Sequence, residues 1–281
     1  MFNKKRLVAI LTGTLLVGSL VGCSAGGASN SGSGSSDSSK ITISGSTSVG
    51  PTMEILAEDY QKANKGTTIE VQQVGSSAGI TNTIDGTSQI GMSSRDLKDE
   101  EKSELKEYQI AIDGIAVITN SANKVKDLTL DQVKDIYTGK ITNWKEVGGN
   151  DADIVVVSRE DGSGTRDGFQ EIVGFESGDL TSNAQISDGS GNIKTTVQGN
   201  ENAIGYISFG YLDDSINSVK IGGVEPKEEN VYNDKYPISR PFLLVTKGEA
   251  SGDAKSFIDY VLSDAGQKTI EKQGFMSVNQ K

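Results

Sequence analysis

The chain contains no histidine among its 281 residues. That removes the usual general base, the usual proton shuttle and the commonest metal ligand together. A Ser-His-Asp or Cys-His catalytic site cannot be assembled from it. There is one cysteine, Cys23, so no internal disulfide and no cysteine cluster for zinc or iron–sulfur can form. Prolines number 4, whereas the 34 glycines, many of them in short Gly/Ser/Thr clusters, follow no fixed period, which excludes a collagen-like repeat. Positive charge is scarce, with 27 basic residues against 38 acidic ones. Such a surface repels nucleic acid. The composition argues against an enzyme and predicts no metal and no cofactor.

What is present begins with a charged start. Lys4, Lys5 and Arg6 precede an apolar run from Leu7 to Leu20, which ends in Val21-Gly22-Cys23. A positive segment, an apolar segment and small residues in that order read as an export signal. The run is short and rich in Gly, Ser and Thr for a membrane span of about 20 residues. A permanent span would also leave the cysteine's position unexplained. Leu20-Val21-Gly22-Cys23 resembles the bacterial lipobox. That resemblance implies a signal peptide over residues 1–22 and an acylated Cys23 at the mature N-terminus. More than one acyl chain gives firm anchoring. The segment up to Ser39 is almost entirely Ser, Gly, Ala and Asn, so residues 23–39 form a lipidated tether of roughly 20–25 Å mean reach. The expected location is the extracellular face of a bacterial cell membrane, anchored but not embedded. Without residues 1–22 the chain keeps 24 basic and 38 acidic residues, a net charge of −14.

From Lys40 onward, strand-like runs alternate with helical patterns. Strands are expected at Ile41–Ile43, Thr68–Val74, Gln89–Met92, Ile154–Val157, Ala203–Ile207 and Phe242–Val245. Helices are expected at Thr52–Asn64, Ser77–Ile84, Asp99–Tyr108, Leu130–Tyr137, Gly164–Val173 and Gly191–Val197. An amphipathic helix carrying Phe257, Tyr260, Val261 and Leu262 closes the chain. The apolar run from Ile110 to Thr119 is interrupted by Asp113-Gly114. The alternation argues for an α/β fold with largely parallel sheets. Trp144 is read as packing. Asp113 is read as a cap or an arginine partner, and Arg240 as a surface or a functional residue.

One local device recurs, in which a strand ends in a Gly/Ser/Thr cluster and a helix follows. It occurs at Gly45-Ser46-Thr47-Ser48, Gly75-Ser76-Ser77, Gly162-Ser163-Gly164-Thr165 and Gly189-Ser190-Gly191-Asn192. A helix N-terminus leaves its first N–H groups unpaired, and its dipole favours negative charge there. Small residues let an anion approach the backbone, and hydroxyls add donors. A single cluster is an ordinary N-cap. Several at the carboxyl ends of parallel strands mark a ligand site. With a net charge of −14, an anion site has to act through short-range hydrogen bonds. Arg159 offers a fixed fork of donors, and Asp161 is placed to hold that guanidinium. The segment lacks the G-K-[ST] ending of a nucleotide-binding P-loop.

Ile43-Ser-Gly-Ser-Thr-Ser-Val49, Gly75-Ser-Ser-Ala-Gly79, Ile90-Gly-Met-Ser-Ser-Arg95, Asp113-Gly-Ile-Ala-Val117, Leu130–Gly139 with Trp144, and Asp161-Gly-Ser-Gly-Thr165 follow in this order and spacing. In them the mature chain resembles the phosphate-binding lipoproteins of bacterial ABC phosphate importers. The resemblance implies a two-lobed periplasmic-binding-protein-like α/β fold with the ligand in the cleft between lobes. Lobe I would comprise residues 40–114 plus 240–281, and lobe II residues 115–239. It implies inorganic phosphate as ligand and ABC transporter permease subunits as partners, with the protein acting as a monomer. Thr47, Ser48, Ser76, Ser94, Arg159, Ser163, Gly164 and Thr165 map to phosphate ligands, and Asp161 to the residue orienting Arg159. Gly189–Asn192 has the same chemistry without an implied ligand. Ser94 departs from the aspartate that accepts the phosphate proton in well-known members, which keeps sulfate, molybdate or tungstate open as alternatives. Arg95 is either a second cationic contact or a structural partner of a carboxylate.

Overall fold

The computed structural model describes residues 39–280. The expected signal peptide, Cys23 and the tether up to residue 38 lie outside them. The chain opens with β1 (Ser39–Gly45), α1 (Gly50–Ala63), β2 (Thr67–Gln73), α2 (Ser76–Ile84) and β3 (Ile90–Ser93). β1 pairs in parallel with β2 on one side and β3 on the other. Met53, Leu56, Ala57 and Tyr60 recur at helical spacing and are buried on one face of α1. A proline stands in its first turn, where no amide hydrogen is missed.

A short α3 (Asp99–Glu104) leads into β4 (Leu105–Asn120), a strand of 16 residues. Then come β5 (Asp127–Leu128), α4 (Leu130–Tyr137), β6 (Val155–Arg159), α5 (Gly164–Val173), β7 (Gln185–Ser187), α6 (Gly189–Gln198), β8 (Ala203–Ser208), β9 (Ile216–Ser218), β10 (Lys220–Ile221) and α7 (Glu228–Tyr232). β11 (Ser239–Lys247), α8 (Gly252–Leu262), α9 (Asp264–Lys272) and β12 (Met276–Ser277) complete the order.

One sheet runs β2-β1-β3-β11-β4-β8-β6-β7, with β9 and β12 also paired to β4. β6 is parallel to both β7 and β8. The parallel expectation therefore holds within two groups of strands and fails between them. β11 is antiparallel to β3 and β4, and β4 is antiparallel to β8. The reason is connectivity. The chain leaves the first group along β4 and returns along β11, so two neighbouring strands run in opposite directions.

Each group has its own core. One gathers Ile41, Ile43, Met53, Leu56, Phe242 and Phe257. The other gathers Ile115, Val117, Tyr137, Phe169, Ile204 and Tyr206. Full burial of such side chains contributes about 1.5–3 kcal/mol each.

Three local expectations change. The helix expected to reach Tyr108 stops at Glu104, because Leu105 to Gln109 pair with β11 from Lys247 to Leu243. Tertiary pairing overrides local helical preference there. Asp113-Gly114 does not interrupt the strand, since Arg240↔Asp113 and Ser239↔Gly114 continue the ladder. Gly114 permits close approach instead: a Cβ there would lie 2.2 Å from the Phe209 ring. The closing helix is two helices, divided at Ser263, whose hydroxyl caps α9. Trp144 is buried packing, and its indole N–H donates to the Asn202 carbonyl at 2.9 Å.

Candidate anion-binding site

The four Gly/Ser/Thr clusters converge. Gly45–Ser48 follows β1 and leads into α1, Gly75–Ser77 opens α2, Gly162–Thr165 opens α5, and Gly189–Asn192 opens α6. Ser48 Oγ lies 2.9 Å from Thr165 Oγ1 and 3.0 Å from Ser190 Oγ. Arg159 donates to Thr47 Oγ1 at 3.0 Å and to Ser190 Oγ at 3.2 Å. The Ser76 and Ser94 hydroxyls are 3.2 Å apart, and the Ser94 amide donates to Ser76 Oγ at 3.1 Å. Gly164 presses on that pair, so that a Cβ on it would stand 2.3 Å from Ser76 Oγ and 2.8 Å from Ser94 Oγ. The Ser77 amide donates to the Gly162 carbonyl at 3.1 Å and closes the first group of strands onto the second. Ser163 caps α5, its hydroxyl accepting from the Arg166 amide at 3.3 Å.

Thr47, Ser48, Ser76, Ser94, Arg159, Ser163, Gly164 and Thr165 thus lie around one centre. All but Thr47 are buried. The N-termini of α2, α5 and α6 add positive dipole ends.

Arg159 ends β6 and is positioned from behind. Its amide donates to the Tyr206 hydroxyl at 3.2 Å, which bonds Ser158 Oγ at 2.9 Å. The Tyr206 ring stacks on Phe169 of α5, with centroids 4.0 Å apart. The guanidinium is held by Glu160, through Nε at 2.7 Å and Nη2 at 2.6 Å. This corrects the expectation for Asp161, whose side chain is 93% exposed and accepts from Arg166 Nη1 at 2.7 Å. Glu160 is long enough to fold back onto the guanidinium of its own neighbour, and Asp161 turns to the start of α5. Burial alone would raise the Glu160 carboxyl, but the bonds and charge of Arg159 outweigh it and hold it below its ordinary value.

Arg240 is a site neighbour, not a surface residue. It is 4% exposed. Nε and Nη2 donate to Asp113 Oδ2 at 3.1 and 2.9 Å, Nη1 to the Ser94 carbonyl at 3.0 Å, and Nη2 also to Ser48 Oγ at 3.3 Å. Asp113 Oδ1 accepts from Ser208 Oγ at 2.9 Å and from the Phe209 amide at 3.2 Å. Burial pushes the Asp113 carboxyl up and the Arg240 guanidinium down, and their attraction opposes both shifts. Arg95 takes the structural role: it pairs with Glu101 at 2.7 and 2.8 Å and with Asp167 of α5 at 3.0 Å.

Sequence reasoning did not assign Ser190, Glu160, Arg240 or Tyr211, whose hydroxyl donates to the Thr47 carbonyl at 2.9 Å. Ser190 had a signal in the fourth cluster. The sequence leaves Arg240 between a surface and a functional role; Glu160 adjoins Arg159 in the chain and differs from Asp161 only in where its side chain turns; Tyr211 reaches the site through tertiary contact alone. A cavity of about 650 Å³ borders the site and is lined by Thr47, Glu160 and Ser190, the three residues that hold Arg159. Among the described residues no group of three or more potential ligands is placed to hold a metal ion.

The model of the PBP superfamily domain matches residues 25–265. The phosphate-binding protein PstS of Bacillus subtilis (strain 168) is 38% identical over 246 residues, covering 86% of this chain and 81% of the relative. The chain belongs to this family of phosphate-binding proteins. PstS of Borreliella burgdorferi is 30% identical over 250 residues, covering 85% of this chain and 90% of the relative. Among solved structures, a candidate phosphate ABC transporter substrate-binding protein with bound phosphate from Clostridium perfringens is 63% identical, with a TM-score of 0.83 over 85% of this chain and 99% of that one. An ABC-type phosphate transport receptor from Vibrio cholerae is 39% identical, with a TM-score of 0.74 over 85% of this chain and 100% of that one. The fold is the two-lobed one expected from the sequence. The family is one of transport binding proteins, not enzymes.

Proposed function

We propose that this chain captures inorganic phosphate outside the cell and delivers it to the membrane subunits of an ABC importer. The observation that carries this reading is the buried ring of hydroxyls, helix N-termini and Arg159, in which the guanidinium is already neutralised by Glu160. A dehydrated tetrahedral anion needs donors on every oxygen, and directional donors supply them without net charge. The proposed ligands are Thr47, Ser48, Ser76, Ser94, Arg159, Ser163, Gly164 and Thr165, with Ser190 added. Relatives named for phosphate binding support the ligand's identity. The hydroxyl at Ser94 makes sulfate, molybdate and tungstate the anions to test beside it.

The reading includes lobe I over residues 40–114 plus 240–281 and lobe II over 115–239. They would hinge where β4 and β11 pass Asp113-Gly114 and Ser239-Arg240. It also includes a lipid anchor at Cys23, a monomeric state and an extracellular position at the cell membrane. No helix among the described residues is long and apolar enough to cross a membrane.

Calorimetric titration of the soluble domain with phosphate tests the ligand. Tight binding is expected, weakened roughly a hundredfold or more in Arg159→Ala. Heat with sulfate or molybdate but none with phosphate would reassign the ligand. A Cys23→Ala chain should appear in the medium, and its retention on cells would remove the anchor.

A further inference from the structure

Most hydroxyls of the site receive a hydrogen bond from an N–H, which can only donate. Thr47 and Ser190 receive theirs from Arg159, Ser76 from the Ser94 amide, Ser163 from the Arg166 amide, and Ser48 from Arg240 Nη2. Ser94 Oγ and Thr165 Oγ1 meet only other hydroxyls among the described residues. A hydroxyl has one hydrogen to give and two lone pairs. Where an N–H takes a lone pair, the hydroxyl's own hydrogen points away from that donor; for Ser48 this is the side that also holds the Thr165 and Ser190 hydroxyls, at 2.9 and 3.0 Å.

Arg240 stands apart from the other donors. It reaches Ser48 from β11, 192 residues further along the chain. Asp113 fixes it in place. We propose that Arg240 is a positioning residue of the anion site, which by donating to Ser48 Oγ keeps the Ser48 hydroxyl turned toward the bound anion as a donor.

The inference rests on the phosphate reading and adds a selectivity rule to it. A protonated phosphate oxygen needs an acceptor. With Arg240 in place, Ser94 and Thr165 are the hydroxyls best able to accept. Without its fork, Ser48 is relieved of its N–H donor and accepts as readily as they do, and the site shifts its preference toward the more protonated anion.

The test is calorimetric titration with inorganic phosphate at about pH 5.5 and about pH 8.5, across which the anion changes protonation. Arg240→Lys keeps a cation beside Asp113 but loses the fork that spans Asp113, Ser94 and Ser48. Relative to the parent chain, it should favour binding at the lower pH by roughly tenfold. That change should vanish when Ser48→Ala is added. The charged and titratable groups around this region are Asp113, Arg159 with Glu160, Arg95 with Glu101 and Asp167, Tyr206 and Tyr211. A contribution from any of them would persist with Ser48→Ala in place.

An unchanged pH ratio, or a change that survives Ser48→Ala, would overturn the proposal. If Arg240→Lys does not fold, the neutral pair Asp113→Asn with Arg240→Gln carries the same expectation. Absence of phosphate binding by the parent chain would instead overturn the phosphate reading.

Discussion

At the scale of single residues, the site separates charge from recognition. Arg159, Arg240 and Arg95 each have their own carboxylate, in Glu160, Asp113 and Glu101. What remains for an anion is a set of directed donors, which suits a chain whose net charge opposes anions. The two neighbouring carboxylates after Arg159 make this testable. Glu160→Gln weakens the grip on Arg159 and is expected to lower phosphate affinity about tenfold. Asp161→Asn, at an exposed side chain, should change it less than about threefold. Titration of both variants decides between them, and the reverse order would restore Asp161 as the orienting residue.

At the scale of elements, α5 carries most of the site's geometry. Ser163 caps it, and Gly164 and Thr165 open it against Ser48, Ser76 and Ser94. Phe169, one turn further on, packs on Tyr206 and so ties the helix to the strand end that presents Arg159. Gly164→Ala would place a methyl 2.3 Å from Ser76 Oγ. Phosphate affinity is expected to fall roughly a hundredfold, since displacement of about an ångström at a positioned site has that scale. Circular dichroism should show the fold retained. Ser163→Ala removes the cap and should cost about 1 kcal/mol of stability by denaturant titration.

At the scale of the whole molecule, the two groups of strands meet in a closed arrangement. Arg95 stays bound to Glu101 in its own group and reaches across to Asp167. Asp167→Asn is therefore expected to speed phosphate release several-fold, about 3–10 times, in stopped-flow measurement. Rising salt should narrow the difference from the parent chain. Acid stability follows from Glu101 and Glu160. Burial raises both carboxyls, but Arg95 and Arg159 outweigh it and hold both below the ordinary value of 4.5. The unfolded chain then takes up these protons first, so their contribution is present above pH 4.5 and is lost as pH falls through the lowered values. Thermal midpoints should drop in that window, and Glu101→Gln with Glu160→Gln should flatten the drop.

Much of this was legible in the chain itself. The periodicity of Met53, Leu56, Ala57 and Tyr60 specifies α1 without any partner. The small residues at 45–48, 75–77, 162–165 and 189–192 mark strand-to-helix turns, because few other residues fit them. The absence of histidine and the single cysteine limited the chemistry before any fold was known. Tertiary structure alone decided the rest. Leu105 to Gln109 became strand because β11 returned beside them. Glu160 rather than Asp161 took the arginine because side-chain reach and direction, not spacing, set that pair. Arg240 reached Ser48 because two strands far apart in sequence pair with Arg240 opposite Asp113. Local residue choice fixes turns and helix faces, whereas contacts between distant strands depend on connectivity, which no short stretch of sequence encodes.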